Sequence, residues 1–175
     1  MRNRRTTATS DWREVLRRRL PLFGHRNWIA VVDSAYPLQT RAGIETLATG
    51  ADHLEVVRLV MEEIGRQPHV RPAVYLDAEL PLVPEADAPG IDIYRDRLAK
   101  QLAERHSTSM PHAEIIARLD AAGALFAVLV LKTTLAIPYT SVFIELDCGY
   151  WPSEAEQRLR NAGRSKRRRT TPIRS

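Results

Sequence analysis

Residues 24–37 read GHRNWIAVVDSAYP, and the reading of this stretch decides the fold. Gly24 and His25 make a turn, the apolar run Trp28 to Val32 follows, and Asp33 closes it. The run carries three β-branched residues and no charge, which predicts a strand buried on both faces, as in a parallel sheet. A strand rises about 3.3 Å per residue, so it holds His25 and Asp33 apart at its two ends. Strand ends are nevertheless where open α/β sheets place their polar working groups. An imidazole and a carboxylate so placed can serve one acid–base site once a neighbouring element or subunit folds over.

Working outward, the sequence alternates strands with helices. Asp11 to Arg19 predicts a short helix with Ser10 or Asp11 as N-cap, and Pro21 ends it. Gly43 to Gly50 is a weaker strand. His53 to Arg66 has Leu54, Val57, Met61 and Ile64 at three- and four-residue steps, the pattern of an amphipathic helix. Ala73 to Leu76 is a third strand, and the proline-rich Leu80 to Gly90 is a loop. Two helices follow, Tyr94 to Arg105 and Pro111 to Ala122, the second stopped by Gly123. Ala124 to Lys132 is a central strand, and Ser141 to Leu146 is the last one. The order predicts an α/β fold: one domain, a mostly parallel central sheet, helices flanking it.

The bulk numbers set bounds. A chain of 175 residues suits a single domain with a substantial core. No apolar run approaches the roughly 20 residues that span a bilayer. The longest, Ala121 to Leu131, reads as the central strand with its lead-in. The basic N-terminus lacks the apolar segment of a secretory signal. The one cysteine, Cys148, excludes an internal disulfide and suits a reducing cytosol, so a cytoplasmic location is expected.

Charge is distributed unevenly. Residues 1–20 carry seven arginines against two acids, and residues 157–175 carry eight basic residues and no acid. Residues 21–156 hold eleven basic and nineteen acidic residues, so the body is acidic and the ends are basic. Residues 1–10 read as a disordered basic N-terminus, 11–152 as the folded domain, and 153–175 as a basic, mostly disordered tail. In that tail a short polar helix, Ser153 to Arg160, precedes a segment expected not to fold.

Several chemistries lack their motifs. No glycine cluster follows a strand, so neither a P-loop nor a dinucleotide fingerprint is present. There is no H-E-x-x-H, no Cys/His cluster and no G-x-S-x-G. Scattered polar groups beside strands remain. Taken singly, His25 reads as a solvated turn residue, Asp33 as a turn-closing carboxylate and Tyr139 as a packed aromatic. His112 reads singly as an exposed first-turn residue, and His53, His69 and His106 as surface residues.

In combination these residues resemble the D-ribose pyranase and L-fucose mutarotase family (RbsD/FucU-like). That pattern runs from a short N-terminal helix through Gly-His and a strand to Asp-Ala-x-x-Pro. The counterparts are Asp11 to Arg19, Gly24-His25, and Asp33, Ala35 and Pro37, where Ser34 separates Asp33 from Ala35. The family closes with an apolar strand, Tyr-x-Asn, another apolar strand and a small-residue turn. The stretch FAVLVLKTTLAIPYTSVFIELDCG supplies that order through Tyr139, Ser141 and Gly149. The resemblance spans roughly residues 11–150.

The resemblance implies that His25 is a general acid and Asp33 a sugar-binding carboxylate. It implies that Tyr139 and Ser141 contact the sugar, with Ser141 standing where the family has asparagine. His112 occupies the place where members put a histidine or arginine. The implied activity interconverts the cyclic forms of a free monosaccharide by acid–base ring opening, with no cofactor and no metal. Imidazole suits proton transfer near neutrality, and a carboxylate can accept from two sugar hydroxyls. The implied assembly is a ring-shaped homo-oligomer with sites shared between subunits, a decamer of two pentameric rings being the candidate.

Two other readings compete with this one. A protein that binds a monosaccharide without turning it over would account for Ser141. The run RSKRRR, Arg164 to Arg169, would give salt-sensitive phosphate binding if nucleic acid were a partner. The absence of aromatic residues after Trp151 speaks against base stacking, and a solvated extension is the expected state.

Overall fold

The structure is a computed structural model and describes residues 11–169. The expected disorder of residues 1–10 and 170–175 concerns residues outside the described ones. Among the described residues six strands form one sheet, in the order β2-β5-β1-β6-β3-β4. They are β1 (Trp28–Val32), β2 (Ile44–Ala48), β3 (Val70–Asp77), β4 (Ser107–Met110), β5 (Val128–Lys132) and β6 (Val142–Cys148). Only β6 runs antiparallel to its neighbours, β1 and β3. The helices are α1 (Trp12–Arg19), α2 (His53–Gly65), α3 (Ile91–Gln101), α4 (His112–Leu125) and α5 (Ser153–Arg169). The expected single α/β domain with a mostly parallel sheet is what forms.

Strand β1 is buried at all five positions because both its faces are covered. Ile29 and Val31 join the core under α1, α2 and α3, where Trp12, Leu16, Leu54, Val57, Ile64 and Leu98 pack. Trp28, Ala30 and Val32 face the other way, with Phe143, Ile115 and Leu119 beneath α4. Each fully buried leucine, isoleucine or phenylalanine adds about 1.5–3 kcal/mol, so these two apolar layers fix which way β1 faces.

Several local expectations need correction. Gly123 does not stop α4, which runs on to Leu125, so Ala124 and Leu125 are helical and β5 starts only at Val128. The apolar run Ala121 to Leu131 is therefore the end of a helix, a short turn and a strand. Gly123 is there for packing: a Cβ on it would lie 2.6 Å from the Ile44 side chain. Strand β4, STSM, was not expected. It is a short polar edge strand with no apolar alternation to betray it. Helix α3 begins three residues earlier than its periodicity suggests, at Ile91, because Gly90 takes a left-handed φ of 92° and turns the chain into the helix. Helix α5 extends past Arg160 to Arg169. No proline interrupts that stretch, and its acids Glu154 and Glu156 sit in the first turn, as the helix dipole favours.

Candidate active site

The topology sorts the polar residues onto two opposite edges of the sheet. Five strands run parallel, so their carboxyl ends share one edge, which the antiparallel β6 enters by its N-terminal end. That edge gathers Asp33 after β1, Asp77 at the end of β3, His112 two residues after β4, Lys132 at the end of β5, and Tyr139 to Ser141 before β6. It is the edge where open α/β sheets place ligands.

Within this group His112 is the most constrained. It is the first residue of α4. Its backbone N–H donates to both oxygens of Glu79, at 3.2 and 3.0 Å. Its Nδ1 lies 2.9 Å from Asp77 Oδ1. The β3–β4 ladder makes this contact, because Asp77 pairs with Met110 two residues before His112. The ring meets Tyr139 edge-on at 5.6 Å and Phe143 at a tilt at 6.4 Å. Tyr139 is 41% exposed and has a φ of 56°, unusual for a residue with a side chain. Strain of that kind persists where the surrounding structure enforces it, and it gathers at functional positions.

Asp77 is 1% exposed. Burial pushes its carboxyl above the usual range, the His112 hydrogen bond and charge oppose that, and Glu79 and Asp33 push it further up. Asp33 uses Oδ1 to accept from the Ala35 N–H at 2.7 Å, closing a turn. The turn-closing role and a place at the polar edge therefore coexist. Lys132 donates to the Tyr36 carbonyl at 2.8 Å. The buried Tyr36 hydroxyl is pushed up to about 12 by burial first, with Asp120, Asp77 and Asp33 adding to it. Ser141 is buried and follows Thr140, whose carbonyl accepts from the Tyr94 hydroxyl at 2.8 Å.

His53, expected on the surface, is fully buried at the start of α2. Its Nε2 lies 3.2 Å from the Val31 carbonyl, which can only accept, so that nitrogen carries the proton. Its Nδ1 lies 3.2 Å from the Tyr94 hydroxyl, whose hydrogen then has two acceptors, Nδ1 and the Thr140 carbonyl. Burial lowers the His53 pKa to about 4, against smaller opposing effects of the Val31 carbonyl, Asp52 and Asp33. This buried chain fixes the backbone between Tyr139 and Ser141. His69 is also only partly exposed, 2.9 Å from the Phe23 carbonyl through Nε2.

His25 lies on the other edge, exposed in the turn before β1. It lines a hollow of about 710 Å³ with Arg71, Tyr75, Glu145, Asp147, Trp151 and others. This hollow does not reach Asp33, His112, Tyr139 or Ser141. The chain thus brings His112 and Tyr139 into contact, places Asp33 and Ser141 on the same edge, and leaves His25 on the opposite one. A second hollow, about 690 Å³, lies between Arg19, Arg41 and Phe126 and holds none of these residues. Among the described residues, no cluster of three or more His, Cys, Asp or Glu side chains is arranged to hold a metal ion. No helix there is long and apolar enough to cross a membrane.

No family model matches the sequence, and no curated protein does. Solved structures do match. RbsD of Bacillus subtilis, complexed with D-ribose, superposes with a TM-score of 0.53 at 16% identity, over 84% of this chain and 98% of that one. FucU of Bifidobacterium longum gives 0.54 at 13%, over 77% and 94%. The fucose mutarotase of Streptococcus pneumoniae, complexed with L-fucose, gives 0.53 at 14%, over 81% and 97%. The chain has the RbsD/FucU fold. The resemblance read from Gly24-His25, Asp33 and Tyr139 is thus matched at the level of architecture.

Sequence reasoning did not single out Asp77, Glu79 or His53. Asp77 had the same signal as Asp33, a carboxylate ending an apolar strand, in the stretch VYLDAE. Nothing local marks His53, whose burial depends on α2 docking beneath β1 and on Tyr94 arriving from α3.

Proposed function

We propose that this protein is a monosaccharide mutarotase or pyranase. It opens the ring of a free sugar such as fucose or ribose and closes it in another cyclic form. The observation that carries the reading is the group Asp33, His112 and Tyr139 on the carboxyl edge of a sheet with the RbsD/FucU fold. One relative with this fold is a fucose mutarotase, and two were solved with a free monosaccharide. Asp33, His112, Tyr139 and Ser141 contact the sugar, and His25 is the general acid at the ring oxygen. Protein and sugar exchange only protons, so the reaction calls for no cofactor.

His25 and Asp33 occupy opposite edges of one sheet, so a complete site needs two subunits. The edge of one protomer meets the His25 hollow of the next in a homo-oligomeric ring, for which a decamer is our candidate. A cytoplasmic enzyme acting on free sugar fits this reading.

The test is saturation-transfer NMR on ribose, fucose and related sugars. Faster exchange between ring forms of one sugar, lost in His25→Ala, is the expected result. No acceleration with any sugar overturns the reading.

A second reading has one observation in its favour. Ser141, in the asparagine place, is 2% exposed, and a short buried hydroxyl is a poor substitute for an amide that both donates and accepts. A protein that only binds the sugar would broaden its resonances without speeding exchange. Ser141→Asn would then bring exchange up, whereas an unchanged rate argues against this alternative.

A further inference from the structure

Ring opening needs a group that takes the anomeric proton as well as one that supplies a proton to the ring oxygen. His25 fills only the second role. The geometry points to His112 as the base, with Asp77 as the residue that positions it. This inference deepens the mutarotase reading and rests on it.

An ionised carboxylate can only accept, so Asp77 Oδ1, 2.9 Å from Nδ1, holds the ring proton on that nitrogen. The lone pair then sits on Nε2. Among the described residues Nε2 has no hydrogen-bond partner, and the side chain is 36% exposed while that of Asp77 is wholly buried. The ring is thus fixed from behind and open in front. Glu79 pins the backbone N–H, and Tyr139 and Phe143 flank the imidazole, so it has little freedom to turn away. A second observation points the same way. Asp77 Oδ2 is buried with no partner among the described residues. A buried carboxylate oxygen left without a donor is costly and asks for an explanation. Orienting and polarising a base at the sugar supplies one, as carboxylates behind catalytic or metal-bound histidines do.

The step balances without a further reactant. Nε2 takes the proton of the anomeric hydroxyl, and that O–H electron pair becomes the second bond of the carbonyl. The bond from the anomeric carbon to the ring oxygen breaks, and its pair takes a proton from His25. Attack on the other face of the carbonyl, or by a different hydroxyl, closes the ring and returns both protons.

The charged and titratable groups around this pair are Asp33, Glu79 and Tyr139, and Asp77 in turn helps to push up the hydroxyls of Tyr36 and Tyr94. A protonated Asp77 donating to Nδ1 would move the ring proton to Nε2, so the tautomer is decisive. Long-range nitrogen–proton NMR of the full-length protein near pH 7.5 reads it without any sugar. We expect the proton on Nδ1 of His112. A proton on Nε2 overturns the inference whatever the protein's activity.

Exchange kinetics supply the second arm. Asp77→Asn and His112→Gln should each lower kcat by about 100-fold, with KM changed by no more than about two-fold. Asp77→Glu should recover part of the rate, and the acidic limb of the kcat profile should move in Asp77→Asn. A wild-type rate and profile in a folded Asp77→Asn protein, checked by circular dichroism, overturns the positioning role of Asp77, and a wild-type rate in folded His112→Gln overturns the base role. No exchange by the wild-type protein with any sugar overturns both that role and the mutarotase reading.

Discussion

The two edges of the sheet are built differently. At the carboxyl edge the polar groups are locked: Asp77, His53, Thr140 and Ser141 are all at most 2% exposed, and the ring of His112 is held from several sides. At the amino edge His25 is exposed, and the salt bridge Arg71–Asp147, which lines the same hollow, lies half in water. Groups of the first kind bear on folding as well as chemistry. A residue of the second kind costs the fold almost nothing and gains its role from what docks against it. The proposed site shared between subunits would draw on both kinds of edge, the locked one for positioning and the exposed one for docking.

The largest effect that would break this contrast is at His25. His25→Ala should slow sugar exchange by about 100- to 10,000-fold while changing unfolding stability by less than about 0.5 kcal/mol. Sharing between subunits makes a further demand. Asp33→Asn alone should also be inactive, yet co-refolding the two inactive proteins should restore about a quarter of the sites, since either protomer can lend its intact edge to the other. Exchange measured on the co-refolded mixture checks this. A mixture as inactive as its components would place both residues in one protomer's site, against the distance set by β1.

The next effect belongs to the locked edge and shows itself in acid. Folding lowers the His53 pKa from 6.5 to about 4, so the unfolded chain binds the extra proton first as pH falls. Stability is therefore full above pH 6.5 and is lost on the way down to about pH 4, by roughly 3 kcal/mol. Urea midpoints at pH 7.5 and 4.5 measure it. The raised carboxyl of Asp77 acts in the opposite sense, gaining stability in acid, so the quantity to follow is the slope difference between wild type and His53→Gln. Equal slopes would mean that His53 is not buried as a neutral ring.

These contrasts also explain what was legible in the sequence. Strand β1 could be read from WIAVV because its apolar run needs no tertiary context, and α2 from the spacing of Leu54, Val57, Met61 and Ile64. His25, Asp33 and Tyr139 could be placed because they border apolar strands. His53 could not, since its burial is made by β1 and α3, far away in sequence. Strand β4 was hidden by its polarity, and with it the pairing that sets Asp77 against His112. The end of α4 was misread because glycine usually marks a helix terminus, whereas Gly123 is required by its approach to Ile44.

Glu79 tests the locked edge at a smaller scale. Its two oxygens accept from the His112 N–H at the start of α4, a place where the helix dipole also favours an anion. Glu79→Ala should cost about 1 kcal/mol, the usual worth of a lost helix cap. If Glu79 only caps the helix, exchange should fall in step with the fraction unfolded. If it also fixes the ring, kcat should fall in fully folded protein, which a rate measured well below the melting temperature distinguishes.

The smallest effect lies at the open edge. Arg71 Nη2 and Nε donate to Asp147 Oδ2 at 2.6 and 3.0 Å, a short and well-aligned pair. Both side chains are nevertheless about half exposed, 44% and 50%, so water already solvates the charges and salt screens them. Arg71→Ala should therefore change stability by less than about 0.5 kcal/mol, and the difference should vanish in about 1 M salt. A larger, salt-resistant loss, present at high protein concentration and absent on dilution, would have a different origin. It would mean that the pair is buried against another subunit, and that the amino edge is an interface in solution.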